Sequence, residues 1–330
     1  MAKKRIAING FGRIGRLTFR NLIKNKNVEV VAINDLTDNQ TLAHLLKYDT
    51  MHGQFEGGVT ADDEYLYVNG KQILGSAIRN PAECPWKELK VDVVLECTGI
   101  FLARDKAELH LQAGAKRVIL SAPPKADDVP TFVIGANHDK IKKTDTILSN
   151  ASCTTNCLVP LIMTLDKAFG VEQFFMNTIH AYTSDQNIQD GPHRDLRRAR
   201  AAAQNIVPTS TGAAKAVVLV APHLKGKIAA HSMRVPVATG SITDVVATIK
   251  KTATVEEINQ VFRTTAETKL KGILQYTEDP IVSGDIVRNK HSCIFDAGLT
   301  QVNGNTCRIV GWYDNEAGYS ARLADLAAMI

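Results

Sequence analysis

Six cysteines in 330 residues are too sparse for a disulfide-stapled scaffold, and no two C-x-x-C motifs stand together as structural zinc requires, so no metal site is expected. Long apolar runs are missing as well. The longest uncharged stretch, Thr146 to Leu165, carries four Thr, two Ser, two Asn and a Pro, whereas a membrane span needs about 20 predominantly apolar residues. The N-terminus, Met-Ala-Lys-Lys-Arg followed by a short apolar run, lacks the apolar core and cleavage site of a secretory signal, and a cytoplasmic location is expected. There is no internal repeat and no low-complexity linker. Lys+Arg 39 against Asp+Glu 34 gives a net charge of only +5, which supports neither a nucleic-acid nor a membrane partner. What is present, 45% hydrophobic and 22% charged residues, matches an ordinary globular protein and excludes disorder, collagen and coiled coil. The length favours two domains.

The first half alternates strand-like and helix-like stretches: Arg5 to Asn9, Ile14 to Lys24, Val28 to Asn34, Val91 to Cys97 and Val118 to Ser121. That rhythm predicts an α/β domain with a parallel sheet. Between them, Gly57 to Ser76 reads as a β-hairpin insertion turning at Asn69-Gly70. After about residue 150 the texture changes. A helical run from Cys153 to Phe169 precedes a strand at Phe174 to His180 and an irregular Arg-rich stretch from Ser184 to Gln204. Beyond it come a helix at Gly212 to Leu219, strands at Ile228 to Val235, Ser241 to Lys250, Ser292 to Asp296 and Thr306 to Tyr313, and helices at Val255 to Glu267 and Tyr319 to Met329.

Four groups of residues carry chemistry. Gly10, Gly12 and Gly15 form a G-x-G-x-x-G between a predicted strand and a predicted helix, and Asp35 lies 35 − 15 = 20 residues on, at the end of the next strand. Glycines there admit a pyrophosphate to backbone N–H groups at a helix start, and the acidic residue suits a ribose while disfavouring a 2′-phosphate. Second, Ser149-Asn150-Ala151-Ser152-Cys153-Thr154-Thr155-Asn156-Cys157 puts a cysteine in the first turn of an apolar helix, where the helix dipole is expected to lower its pKa. The structural alternative is a small buried Cys153 behind a Ser152 cap, and Cys157, one turn on, reads as packing. Third, His180 ends a strand 180 − 153 = 27 residues after the cysteine, a plausible base that is equally readable as one of 9 ordinary histidines. Fourth, Arg194, Arg197, Arg198 and Arg200, the run Thr209-Ser210-Thr211-Gly212, and Arg234 suit phosphate oxygens, although a solvated or subunit-contacting surface explains an Arg run equally well.

Together these motifs resemble the phosphorylating glyceraldehyde-3-phosphate dehydrogenase family over the full chain. The resemblance rests on Asn9 to Arg16, Ala32 to Asp35, Leu46-Lys47-Tyr48-Asp49, Ser149 to Cys157, His180 to Thr183, Asp195 to Ala203, Val207 to Lys215 and Trp312-Tyr313-Asp314-Asn315-Glu316. It implies a Rossmann-type NAD-binding domain over 1–150, a catalytic α+β domain with a mixed or antiparallel sheet over 151–317, and a helix over 318–330 that returns to the first domain. It further implies NAD as cofactor, with Arg13 and Ile14 at the pyrophosphate, Asp35 at the ribose, Arg79 and Ser121 on the adenosine side, and Asn315 at the nicotinamide carboxamide. Asp35-Leu36 with Gly191-Pro192 resembles the NAD-preferring pattern.

By the same resemblance Cys153 is the nucleophile and His180 its base. Ser152, Thr154, Arg198, Thr211 and Gly212 bind inorganic phosphate, Thr183 and Arg234 bind the phosphate of glyceraldehyde 3-phosphate, and a homotetramer uses most of the Arg-rich stretch for subunit contacts. One departure stands after Arg234-Val235-Pro236, where many relatives read Thr-Pro-Asn-Val-Ser and this chain reads Val237-Ala238-Thr239-Gly240-Ser241. Two rival functions share parts of the pattern. An erythrose-4-phosphate dehydrogenase is disfavoured by Thr209 to Lys215, and a non-catalytic NAD-sensing or surface-binding protein by the intact Cys153 and His180.

Overall fold

The computed structural model describes residues 2–330. It divides into two compact units. The first runs to Phe132 and takes in Lys140–Ala151 and Ser320–Ile330, while the second comprises Val133–Asp139 and Ser152–Tyr319.

In the first unit, β1 (Lys4–Asn9), β2 (Val28–Asn34), β6 (Val93–Glu96), β7 (Arg117–Leu120) and β8 (Ile147–Ser149) are parallel. They are near-continuous apolar runs because both faces of the sheet are covered. The insertion supplies β3 (Val59–Ala61), β4 (Tyr65–Val68) and β5 (Lys71–Ser76), giving the order β3-β4-β5-β2-β1-β6-β7-β8. The hairpin turns where expected, Asn69 and Gly70 both having positive φ (53° and 76°). Strand order reverses between β1 and β6, the switch point at which open α/β sheets bind ligands. Helices α1 (Arg13–Leu22), α2 (Asn39–Lys47) and α3 (Arg104–Gln112) connect the strands. The registers Asn9↔Asn34 and Asn9↔Glu96 gather three buried polar side chains at adjoining strand ends.

The second unit is a mixed sheet in the order β10 (Val207–Thr209), β11 (Ile228–Val235), β9 (Val171–Ala181), β12 (Ser241–Ile249), β16 (Thr306–Tyr313), β14 (Cys293–Asp296) and β13 (Leu274–Thr277), with β15 (Gln301–Asn303) against β16. Helix α4 (Cys153–Phe169) packs on it, against β9, β12, β14 and β16, and α5 (Ala213–Val220) and α6 (Val255–Glu267) flank α4. The last helix, α7 (Ala317–Met329), ends within the first unit, where Lys4 Nζ donates to the Ala328 carbonyl at 2.8 Å. A Rossmann-type unit and a mixed sheet are thus both present.

Two of the motif glycines are demanded by the fold. Gly10 has φ +92°, and a Cβ on it would lie 2.7 Å from the backbone of Cys97 and Thr98; a Cβ on Gly15 would lie 2.3 Å from the Gly10 carbonyl oxygen. Gly15→Ala is therefore expected to push α1 off β1, lowering stability by about 1–3 kcal/mol and weakening dinucleotide binding. Urea denaturation together with NAD titration checks it, and unchanged values for both would refute the close approach.

Candidate active site

Cys153 is the first residue of α4. Ser152 caps that helix, its Oγ accepting from Thr155 N–H at 3.1 Å, and buried Ala151 is held at φ 58°, a left-handed conformation that only the surrounding structure can impose on a non-glycine residue. His180 stands at the end of β9, and its Nε2 lies 3.4 Å from Cys153 Sγ. The pairing of β11 with β9 sets Arg234 directly beside His180. Arg234 Nη1 is 2.6 Å from His180 Nδ1 and donates to the Ala181 carbonyl at 3.0 Å, while its Nε is buried with no partner.

Tyr313, fully buried at the end of β16, closes the far side. Its hydroxyl meets Thr154 Oγ1 at 3.0 Å and Thr178 Oγ1 at 2.8 Å, and its ring stands edge-on to His180 at 5.9 Å. Sequence reasoning gave Tyr313 no role. Its only signal was a tyrosine at a strand end within the Trp312 to Glu316 run.

Burial governs the electrostatics. It pushes the Cys153 thiol up, against the pull of the Arg234 charge and of hydrogen bonds from Thr154. The expected acidification by the helix start is thus outweighed, because desolvation of a thiolate costs more than the dipole returns. Burial and the adjoining Arg234 charge push His180 down to about 3. Burial thus favours the neutral form of both groups.

The other residues singled out from the sequence lie as follows. Arg198 donates to Thr209 Oγ1 at 2.9 Å and pairs with Asp185; Arg200 pairs with Asp190 at 2.8 Å, so both answer to carboxylates of their own loop. Thr211 Oγ1 accepts from Ala213 N–H at 3.2 Å, and Gly212 caps α5. Thr183 follows the end of β9, its carbonyl accepting from Gln186 N–H. The hydroxyl of Thr154 is buried on Tyr313. The divergent segment Val237 to Ser241 braces Asn315, whose Oδ1 accepts from Gly240 N–H at 3.1 Å and Ser241 Oγ at 3.0 Å, fixing its amide so that Nδ2 is the remaining donor.

In the first unit a cavity of about 420 Å³ is lined by Asn9, Gly10, Gly12, Asn34, Asp35, Arg79, Thr98 and neighbouring apolar side chains. A Cβ on Gly12 would meet nothing within 4 Å, so this cradle has room for a phosphate group over the start of α1. Asp35 closes the glycine turn, accepting from Phe11 N–H at 2.7 Å. The Arg13 side chain is engaged elsewhere. Its guanidinium is held by Asp49 at 2.6 and 3.2 Å, and although burial opposes it, the hydrogen bonds from His52 and Arg13 hold the Asp49 carboxyl well below the usual range. What Arg13 and Ile14 offer an anion is the backbone of the first helical turn. Ser121, at the end of β7, bonds the Cys97 thiol and stands outside the cavity lining. Among the described residues no cluster of His, Cys, Asp or Glu is set to hold a metal, and no helix is long and apolar enough to cross a membrane.

A cradle at the switch point suits a dinucleotide and the thiol–imidazole contact suits covalent thiol chemistry, the combination found in a dinucleotide-dependent dehydrogenase that works through a thiol. Comparison with known proteins narrows this. Residues 4–104 match the family model of the glyceraldehyde 3-phosphate dehydrogenase NAD binding domain, and residues 152–315 that of the same family's C-terminal domain. The chain is 56% identical over 333 residues to the glyceraldehyde-3-phosphate dehydrogenase of Mycobacterium avium, covering 99% of this chain and 98% of that protein. The corresponding protein of Mycolicibacterium smegmatis is 54% identical, and glyceraldehyde-3-phosphate dehydrogenase 2 of Streptomyces avermitilis 53%, each with 99% of this chain and 98% of the relative covered. The chain belongs to the glyceraldehyde 3-phosphate dehydrogenase family, and NAD is its cofactor.

Two outcomes test the electrostatics. Because the Arg234 charge pulls the Cys153 thiol down, Arg234→Leu is expected to move the pH profile of Cys153 alkylation by iodoacetamide to higher pH; an unmoved profile would contradict the contact. Because folded His180 resists protonation until about pH 3 whereas the unfolded residue binds a proton near 6.5, stability falls as pH drops through that window. His180→Asn should flatten the loss, as measured by thermal melts between pH 7 and 4.

Proposed function

We propose that the protein oxidises glyceraldehyde 3-phosphate to 1,3-bisphosphoglycerate with NAD and inorganic phosphate, in glycolysis or its reversal. The observation that carries the reading is the 3.4 Å Cys153–His180 contact with Arg234 beside it, in a chain of this family. Cys153 attacks the aldehyde carbon, an S–C bond forms, and the thiol proton passes by way of His180 to the aldehyde oxygen, giving a hemithioacetal. NAD supplies the hydride acceptor at nicotinamide C4. His180 Nε2 takes the hydroxyl proton as the hydride leaves, so the carbonyl re-forms as a thioester on Cys153. A phosphate oxygen then attacks that carbonyl, the S–C bond breaks, and Cys153 leaves as thiolate and regains a proton from His180. The Cys153 backbone N–H and the His180 side chain hold the oxyanion that develops in the tetrahedral states.

Arg234, donor-rich and with a buried unpaired Nε, suits the substrate's phosphate together with Thr183. Ser152, Thr154, Arg198, Thr211 and Gly212 form the inorganic-phosphate subsite. For NAD, Asp35 binds the adenosine ribose, Arg79 and Ser121 serve the adenosine side, and Asn315 Nδ2 donates to the nicotinamide carboxamide. Exposed Ile188 (88%), Leu196 (81%) and Ile206 (67%) in and beside the Arg-rich loop support burial of that loop in a homotetramer. A cytoplasmic location accords with six free cysteines. An erythrose-4-phosphate specificity is not favoured by the relatives described above, each named for glyceraldehyde 3-phosphate, and a purely NAD-sensing role leaves the thiol–imidazole pair without a task.

NADH formation from glyceraldehyde 3-phosphate should require inorganic phosphate for sustained turnover. Cys153→Ser should abolish turnover while still binding NAD, because the hydroxyl is a far weaker nucleophile and the cradle is untouched; retained turnover would remove Cys153 from the mechanism. His180→Asn should lower single-turnover oxidation by about 10² to 10⁴ even at a pH where the thiolate is fully formed. Asp35→Gly should weaken NAD and shift preference toward NADP, as measured by the ratio of kcat/KM for the two.

A further inference from the structure

The mechanism leaves unused a chain of polar side chains buried beneath the dinucleotide cradle. Glu96, at the end of β6, and His110, near the end of α3, are both wholly buried, as is Trp86. The Trp86 indole N–H donates to His110 Nδ1 at 3.1 Å. An indole can only donate, so Nδ1 is the acceptor and the ring hydrogen sits on Nε2, which stands 3.1 Å from Glu96 Oε2. The same oxygen accepts from Asn9 Nδ2 at 2.6 Å, and Glu96 Oε1 accepts from the Thr98 N–H at 2.8 Å and from its hydroxyl. Four donors converge on one carboxylate.

The chain continues outward. Asn9 Oδ1 accepts from Asn34 Nδ2 at 2.8 Å. Asn34 in turn donates to the Ile78 carbonyl at 2.8 Å and accepts from Ile78 N–H at 2.8 Å and Ser76 Oγ at 2.9 Å. Asn9, Asn34, Ile78 and Thr98 all line the cavity, whereas Glu96, His110 and Trp86 do not. The Thr98 backbone held by Glu96 is also the surface against which Gly10 packs. One buried carboxylate thus fixes the floor of the cavity through Asn9 and Gly10 and its two walls through Thr98 and Ile78. Burying a carboxylate and an imidazole is costly where apolar side chains of similar volume would serve packing alone.

We propose that Glu96, oriented by the Trp86–His110 pair, is a positioning residue for the adenosine half of the dinucleotide. Its four hydrogen bonds hold the polar lining in the geometry that a nucleotide requires. The proposal rests on the reading that this cavity receives the adenosine of NAD. Glu96 acts through the lining and touches no ligand atom.

Calorimetric titration of the full-length protein with AMP and with NAD tests it. Glu96→Gln keeps size but presents an amide N–H₂ to groups that are all donors, so Kd for AMP and for NAD should rise by the same factor, about tenfold. In that variant kcat at saturating NAD and the alkylation rate of Cys153 should stay within about twofold. His110→Gln, which keeps a donor near the position of Nε2, should retain AMP affinity. His110→Asn keeps only an acceptor for Trp86 and should weaken AMP about as much as Glu96→Gln does. If Glu96→Gln does not accumulate, the two His110 variants decide.

Equal AMP binding by both His110 variants and the unmutated protein, whatever their melting temperatures, would show a purely structural network and overturn the proposal. Asp35→Gly separates this failure from that of the underlying reading. If it weakens AMP while Glu96→Gln and His110→Asn do not, the cavity holds adenosine and Glu96 has no positioning role. If AMP binds the unmutated protein and Asp35→Gly equally, the cavity assignment falls and the proposal with it.

Discussion

β9 is paired along nearly its whole length on both sides, parallel with β11 and antiparallel with β12, and those two registers decide which side chains meet at the Cys153 thiol. His180 lies opposite Arg234 on one side, and Ser241, on the other, both accepts from the Ala181 N–H and lies opposite Tyr313. Thr178 and His180, two residues apart, share one face, so a single tyrosine braces both. A slip of one residue would turn the imidazole away from the sulfur and carry every other contact with it. The site is accurate because it is built on the middle of a sheet and on the capped start of a helix, with loops left to supply anion donors.

Within that frame burial and one cation set the chemistry. Dehydration favours the neutral forms of both members of the pair. Arg234 acts on them unequally in functional terms, since its charge favours the thiolate yet opposes the imidazolium. The same guanidinium therefore favours the thiolate and keeps the imidazole unprotonated, and a neutral imidazole is the form able to take up a proton, as the mechanism proposed above requires of it.

The sequence disclosed the fold where periodicity is strong: β1, α1, β2, α4 and the long strands of the second sheet stand close to where the apolar pattern puts them. It was silent on α3, and the reason is physical. Within Arg104 to Gln112 only Ala107 and His110 are buried, with Leu111 half-buried beside them, and a wholly buried histidine reads as a polar position, so the apolar stripe that marks a helix is weak. The same blindness hid Glu96, which reads as a polar residue at the end of an apolar strand. The candidate residues could be singled out because glycine, cysteine and histidine carry their meaning in residue type and spacing. Partnership is not written that way. That Arg13 would be taken by Asp49, Arg198 by Asp185 and Thr154 by Tyr313 depends on which strands and loops come together, a property of the assembled chain.

The three glycines of the nucleotide turn differ in what stands over them. Gly10 and Gly15 are crowded by backbone, whereas the missing side chain of Gly12 faces open space. Folding therefore fixes the first and last of the motif and places no such demand on the middle one. A methyl group added at Gly12 would act as a plug in an otherwise intact socket. With the nucleotide seated over that turn as proposed, this would separate two properties usually lost together, leaving native architecture and a native thiol without the nucleotide, against which any effect of the dinucleotide on Cys153 could be measured.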